Sequence, residues 1–499
     1  MHNSVVMHHM MGKLRTVSMR KTFVSNLILL LSLNLLVKPA YLLFVEAEIQ
    51  NRVGAEAFGN YFALINFSFL LNIIPDLGIT NWNTRNIARH SHLLQRYFSD
   101  ILSLRLLLAA AYITLALVFG WVLDYSSEQF TLLVVLAFNQ VLASSILYLR
   151  SNLTGLHLFV QDSIVSVLDR SILMLLMAVL LWGQWTAGNQ FRVEWLVWGQ
   201  TAAYGITMIT ALWLVLRKSG KIKWTFSMPV NIAILRQSLP YALLIFTSMI
   251  AYRIDSVMLE RMRPDGAHEA GVYAMGFRFY EAFNMIAYLF AVLLLPIFSR
   301  MLKLGQNVSD LTALAFKILF VGAWTVSVLC FFFGNHILAL FYDHEIEAAT
   351  PVFRWLMMAC LCFSLQYVFG TLLTAGGFLK TLIWVSVAGM LLNIALNLWW
   401  IPAFGARGSA MANGITQLMI LLLQAYWVMN KLKVWPAARL AMNSLLFAAF
   451  TGAVAWVCTI KGYPFAYSAV IVAVSALAIA VFTRMLDLAR FLRLLRETH

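Results

Sequence analysis

Apolar runs of twenty or more residues recur along this chain from one end to the other, and no other feature constrains the fold as strongly. A helix of that length crosses the roughly 30 Å hydrocarbon core of a bilayer. Candidate spans fall near 22–46, 58–80, 100–123, 129–150, 161–183, 193–216 and 236–259. They continue near 273–299, 311–333, 352–373, 379–401, 408–430, 438–459 and 464–486. Fourteen spans in 499 residues leave no room for a large domain outside the membrane. Strands of a membrane barrel alternate polar and apolar residues over about ten positions, so runs of this length exclude a barrel. Composition excludes a soluble fold: 62% of residues are hydrophobic and 11% charged, with a mean hydropathy of +0.80. The expected fold is an all-α integral membrane protein of about fourteen transmembrane helices.

The short connections fix an orientation, because cytoplasmic loops retain an excess of Lys and Arg. Basic connections carry Lys13, Arg15, Arg20 and Lys21; Arg85, Arg89 and Arg96; Arg217, Lys218, Lys221 and Lys223; Arg300 and Lys303; Lys431 and Lys433; and Arg490, Arg493 and Arg496. They alternate with connections carrying Glu46, Glu48, Glu56, Asp124, Glu128, Asp343, Glu345 and Glu347. Both termini are therefore expected in the cytoplasm, as an even number of spans requires. The formal charge of +15 thus reflects loop bias, and no nucleic-acid partner is expected. Residues 1–21 are polar and basic without a long apolar core, which reads as a cytoplasmic tail rather than a signal peptide. The expected organisation is this tail, a lobe of six spans over 22–216, a basic cytoplasmic linker over 217–235, a second six-span lobe over 236–430, two further spans over 438–486 and a tail over 487–499.

An internal match supports two lobes. Gly54-Ala55-Glu56-Ala57-Phe58-Gly59-Asn60-Tyr61 returns 212 residues later as Gly266-Ala267-His268-Glu269-Ala270-Gly271-Val272-Tyr273, with four of eight positions identical. Both copies follow an outer connection and lead into an even-numbered span. Six spans between copies preserve direction across the membrane, so the lobes are expected to be parallel repeats related by an axis along the membrane normal, around a central cavity.

Ionisable side chains inside spans cost about 2.5–3.5 kcal/mol each and so face a cavity or a partner. Lys38, Arg253, Asp255, Arg278 and Glu281 lie in the outer halves of their spans, Arg278 and Glu281 on one helical face. By the repeat offset Asn66 matches Arg278, and Lys38 lies about one turn from the match of Arg253. Two arrangements satisfy these charges. Arg253 with Glu281 and Arg278 with Asp255 would clamp two helices together. Alternatively, three cations facing two carboxylates leave positive charge for an anionic ligand, with Lys38, Arg253, Arg278 and Asn66 binding substrate. Asp255, Glu281 and Asp169 are the charge-modulating or ion-coupling candidates, able to take a proton or Na⁺. Arg105 and Lys317 are expected to snorkel to headgroups. Gln366, Asn393 and Asn397 are expected to bond neighbouring helices.

Motifs for chemistry are scarce. The sequence has no HExxH, Walker A loop or G-x-S-x-G turn. Cys330, Cys360, Cys362 and Cys458 all lie in apolar runs with no CxxC pair, so neither a disulfide framework nor a metal site is expected. No cofactor and no catalytic group are expected, and any transport would run on an ion gradient, the membrane potential or the substrate's own gradient.

Three stretches in order resemble the polysaccharide-transport branch of the multidrug/oligosaccharidyl-lipid/polysaccharide exporter superfamily. The first is Asn51-Arg52-Val53-Gly54 through Gly59-Asn60-Tyr61, followed by Asp76-Leu77-Gly78-Ile79 and Arg85. The second is Tyr252-Arg253-Ile254-Asp255 through Gly271-Val272-Tyr273-Ala274. The third is Leu392-Asn393-Ile394-Ala395-Leu396-Asn397 leading to Ile401-Pro402-Ala403-Phe404-Gly405-Ala406-Arg407-Gly408. The resemblance implies a flippase in the bacterial inner membrane that moves undecaprenyl-pyrophosphate-linked oligosaccharides of O-antigen, capsule or exopolysaccharide to the outer leaflet by alternating access. It also implies contact with membrane lipids, a polysaccharide polymerase and chain-length machinery. Pyrophosphate would need cations such as Lys38, Arg253 and Arg278. A cation-coupled drug antiporter of the same superfamily is the main alternative, and would want a carboxylate-dominated cavity. An intramembrane polymerase or acyltransferase is the second.

Overall fold

The structure, a computed structural model, describes residues 32–89, 93–156, 158–183, 191–219, 227–434 and 438–486. The expected tails 1–21 and 487–499, the start of the first span and residues 220–226 of the linker lie outside them. Every regular element among the described residues is helical. A π-helical segment, Tyr41–Glu46, precedes α1 (Ala47–Leu70), α2 (Ile79–Arg89), α3 (Leu93–Val122), α4 (Ser127–Gly155), α5 (Phe159–Trp182), α6 (Val193–Ser219) and α7 (Met228–Met262). Then follow α8 (Gly266–Lys303), α9 (Ser309–Leu338), α10 (Ile346–Ala375), α11 (Leu379–Leu432), α12 (Ala438–Ile460) and α13 (Phe465–Phe482). The chain is an all-α, multi-pass membrane protein.

Eleven of these helices are long and apolar enough to cross a membrane. The sequence divides two of the helical runs where backbone geometry does. At 1.5 Å per residue a straight α11 would measure about 80 Å, far beyond a bilayer. It bends at Gly405 (φ 55°, ψ −136°), between the eleventh and twelfth expected spans. Gly54 (φ 83°, ψ 165°) breaks α1 in the same way between the first and second. One element is new: α2, polar on one side, occupies what the sequence reads as the loop after the second span.

The Gly405 bend is fastened by the repeat motif. The Glu269 carboxylate accepts the Ala406 amide N–H at 2.7 Å, and a Cβ at Gly405 would lie 2.6 Å from that carboxylate. Arg263 donates to the Pro402 carbonyl at 3.4 Å and pairs with Asp265 at 2.8 Å. The Arg263 hydrogen bond holds the exposed Asp265 carboxyl below its usual range.

Backbone contacts divide the chain into two compact units: the described residues of Met1–Tyr41 and Leu71–Ala242, and those of Leu42–Leu70 and Leu243–His499. Compactness therefore groups residues 42–70 with the C-terminal part of the chain. The first unit has a core of Ile79, Phe98, Leu104, Tyr148, Leu149 and Val215. The second buries Phe298, Val368, Leu372 and Leu373 at one place, and packs α9 on α12 and α13 through Val321, Phe447, Ala476 and Ala480. The chain leaves the first unit at Tyr41, where the π-helix starts, two residues after Pro39. It returns through the non-helical turns of residues 71–78, which contain Pro75.

Inside the second unit the two repeat motifs meet. A Cβ on Gly59 would stand 1.8 Å from the Ala267 carbonyl oxygen, and one on Gly271 would stand 2.0 Å from that of Ala55. Ala55-x-x-x-Gly59 and Ala267-x-x-x-Gly271 are thus reciprocal small-residue surfaces that bring two backbones into direct contact. Offset by 212, the two contacts exchange, as a local two-fold relation requires. The Gln50 side chain donates to the Gly271 carbonyl at 2.9 Å, adding a polar tie beside the crossing.

Candidate functional site

Just beyond this crossing, α7 presents Arg253. Its Nη1 donates to Asn66 Oδ1 at 2.8 Å and its Nη2 to Glu281 Oε1 at 2.6 Å. The guanidinium lies 4.5 Å from the ring centre of Phe69 and 5.2 Å from that of Tyr252, within cation–π range. Asn66 is oriented by its own donation to the Phe62 carbonyl one turn back, at 2.8 Å, which leaves its oxygen for the arginine. Arg253 Nε is buried and has no hydrogen-bond partner. The pairing of Arg253 with Glu281 is the one the charge pattern offered as a clamp, but it leaves the Nε nitrogen without a partner.

Arg278, three residues before Glu281, goes elsewhere. It is 1% exposed, donates from Nη1 to the Tyr342 hydroxyl at 2.6 Å, pairs through Nε with Glu46 at 3.3 Å and lies 4.1 Å over Phe58. The expected partnership of Arg278 with Asp255 is therefore replaced by one with Glu46, 232 residues away. Arg278 joins the π-helical segment to the turn after α9, and only its Nη2 lacks a partner.

Asp255 instead sits in a nest of neutral donors. Asn397 donates to one carboxylate oxygen at 2.7 Å. Tyr273 and Asn413 donate to the other at 2.7 and 2.9 Å. Among the described residues no cation lies within ion-pair distance of it. Asn393, one turn before Asn397, accepts from it at 3.1 Å. The nest also holds unused buried groups, Oδ1 of Asn397 and Oδ1 of Asn413. Sequence reasoning took Asn393 and Asn397 as interhelical bonds; Asn397 makes one, to Asp255, whereas Asn393 accepts from Asn397 within its own helix, and Asn413 was not singled out. Its position just past the Gly405 bend is the signal, because the bend lets both arms of α11 reach Asp255. Gln366 bonds Gln417 through both its carbonyl and its side-chain oxygen at 2.9 Å.

The first unit has its own charged cluster. Lys38 stands in the field of Asp169, Arg150, Arg170 and Asp162, three cations against two carboxylates. Arg150 pairs with Asp162 at 2.7 Å, whereas Arg170 and Asp169, adjacent in sequence, are 3.9 Å apart. The Arg170 guanidinium covers the Tyr41 ring at 4.9 Å. Lys38 makes no hydrogen bond or ion pair with the described residues, so its ammonium is uncommitted.

Arg105 does not snorkel. It is 5% exposed, pairs with Asp76 at 2.5 Å, and donates to the Ser144 carbonyl and hydroxyl at 2.7 and 2.6 Å. The sequence placed it near a helix start and so near headgroups; the carboxylate of Asp76 draws it inward. Asp76 also accepts the Thr80 amide at 3.2 Å and so caps α2. Leu77 and Gly78 both take positive φ, and a Cβ at Gly78 would lie 2.8 Å from the Ser238 carbonyl. The Asp76-Leu77-Gly78 motif is thus a structural cap. Tyr61 is buried against Phe58, with ring centres 5.3 Å apart.

The sequence profile of a family described as polysaccharide biosynthesis protein matches residues 23–302. An uncharacterized membrane protein of Methanocaldococcus jannaschii is 26% identical over 207 residues, 40% of this chain. The matched region spans 46% of that relative's length. Among solved structures, the lipid II flippase MurJ in an inward closed conformation superposes with a TM-score of 0.74 at 16% identity, over 91% of this chain and 99% of that one. An inward-facing multidrug resistance MATE family transporter of the MOP superfamily gives 0.63 at 15% identity, over 82% of this chain and 98% of that one. These likenesses show a shared fold.

Proposed function

Because the chain belongs to the polysaccharide biosynthesis protein family, we propose that it is a flippase for polyprenyl-pyrophosphate-linked oligosaccharides, the undecaprenyl-linked precursors of O-antigen, capsule or exopolysaccharide. The observation that carries this reading is Arg253, a guanidinium fixed by Asn66 and Glu281 with a buried Nε donor left over. Phosphate oxygens take such donors in short, charge-assisted bonds. Lys38, uncommitted in the first unit, is a further cationic candidate for substrate, and Arg278 holds the helices that place Arg253. The isoprenoid chain remains in lipid.

In this reading Asp255 couples transport to an ion gradient. Its carboxylate is satisfied by amides and a phenol and carries no paired cation, so a proton or Na⁺ is the charge it takes up. Turning the Asn397 and Asn413 amides would point their oxygens toward the carboxylate, an all-oxygen set suited to a hard cation. Glu281 and Asp169 tune the charge at their respective cations. The same buried carboxylate is what favours the second reading, a cation-coupled drug antiporter. The protein acts in the bacterial inner membrane with both termini in the cytoplasm, delivering glycans to a polymerase and chain-length machinery. Gene deletion tests this: lipid-linked glycan should accumulate in the cytoplasmic leaflet. Unchanged glycan distribution together with new drug sensitivity would favour the antiporter.

A further inference from the structure

We infer that the second unit carries a sugar platform beside Arg253, formed by Tyr252, Tyr280, Tyr288, Phe363 and Tyr367 with Asn284. This rests on the flippase reading and names where the glycan sits. The rings form a connected series. Tyr252 and Tyr280 stack with centres 5.6 Å apart, and Tyr252 meets Phe363 at 5.7 Å. Phe363 meets Tyr367 at 5.3 Å, and Tyr367 meets Tyr288 at 5.9 Å. The series runs from a buried end at Tyr280 to an open end at Tyr288, which is 54% exposed.

Two observations separate this face from ordinary core or lipid-facing surface. Asn284 is 5% exposed, yet neither its Nδ2 nor its Oδ1 has a hydrogen-bond partner, and the Tyr280 hydroxyl has none either. Buried polar groups left in this state are costly, and hydrocarbon chains cannot satisfy them. A ligand rich in hydroxyls can. Secondly, Phe277, Glu281, Asn284 and Tyr288 follow one another at spacings of four, three and four, so they lie on one stripe of α8. The stripe leads from the Arg253–Glu281 pair to the open rings.

A pyranose has the matching chemistry: an apolar C–H face that packs on an aromatic ring, and rim hydroxyls that both donate and accept, as an amide does. With phosphate oxygens at Arg253 Nε, the first sugars would lie along this stripe, their C–H faces on Tyr367 and Tyr288 and a hydroxyl on Asn284.

The test uses the full chain in lipid nanodiscs and two probes, undecaprenyl pyrophosphate and undecaprenyl-pyrophosphate-N-acetylglucosamine. The wild type should bind the sugar-bearing probe about tenfold more tightly, equivalent to about 1.4 kcal/mol. Tyr367→Ala and Asn284→Leu should erase that preference while the bare probe binds as before. Tyr367→Phe should keep it, which controls for folding. Equal binding of both probes by the wild type, or variants that weaken both probes in step, would overturn the platform while leaving the flippase reading intact. Failure of the wild type to bind either probe would overturn the flippase reading and the platform with it.

Discussion

Arg278 and Asp255 are both buried in the second unit, at 1% exposure each, but they are neutralised in opposite ways. Arg278 faces a carboxylate, a phenol and an aromatic ring, all drawn from segments far apart in sequence. Asp255 faces three neutral donors and no cation among the described residues. A buried ion pair is closed to further charge and ties its elements together. A buried carboxylate held by neutral groups can still exchange a positive ion. The first is architecture and the second is the site proposed for ion coupling, although sequence alone ranks both as misplaced charges.

The largest expected effect breaks the first half of that contrast. Arg278→Gln breaks the pair with Glu46 and removes a guanidinium that is itself 1% exposed; breaking a buried pair costs about 3–5 kcal/mol, so folded protein should fall sharply in membranes. Adding Glu46→Gln should restore part of it, measured as detergent-extracted monomer by size exclusion. Recovery of none would mean that Glu46 is not the partner that matters.

Asp255→Asn should do the reverse. It removes the charge and keeps the shape, so protein level should hold while the ion dependence of transport is lost, with initial rates falling about tenfold, equivalent to about 1.4 kcal/mol. A collapse in abundance would make Asp255 a second clamp and erase the contrast. Arg253→Lys falls between them. Lysine keeps the charge but loses the planar fork shared by Asn66 and Glu281, so substrate affinity should weaken by a few-fold, about 1 kcal/mol, with little change in protein level.

The smallest effect concerns Asp265, an exposed carboxylate paired with Arg263 at 2.8 Å. Its carboxyl is held below the usual range. Its contribution is therefore present above the ordinary carboxylate pKa and fades as pH falls through the lowered value. Exposed pairs contribute about 0–1 kcal/mol, so Asp265→Asn should barely move the melting temperature near neutrality and should flatten its decline in acid. A large loss at neutral pH would give this surface pair the standing of the Arg278 clamp.

The spans were legible because a bilayer demands long apolar runs, and helix underlies them where described, except that the second, expected over 58–80, leaves helix at Leu70 for the turns of residues 71–78 around Pro75. The paired motifs were legible too, since Gly59 and Gly271 recur at matching places, and the structure packs the two segments against each other. Partners were harder to read. Arg253 and Glu281 are 28 residues apart on consecutive helices, near enough for the charge pattern to suggest the pair. Glu46 reaches Arg278 across 232 residues, and Asn413 reaches Asp255 only because α11 bends at Gly405. Such pairings depend on which helices pack together, a property not carried by local periodicity. The same reason hid Asp76 as the partner of Arg105.

The central claim is that this protein moves a pyrophosphate-linked glycan across a bilayer by way of Arg253. Purified protein in proteoliposomes, with undecaprenyl-pyrophosphate-N-acetylglucosamine in both leaflets, tests it most directly through galactosyltransferase labelling of the outer leaflet. The account predicts that labelling proceeds beyond the initially exposed half with wild-type protein and halts there with Arg253→Gln, at equal amounts of folded protein. Labelling that stops at half with the wild type, or that passes half equally with both proteins, would contradict it.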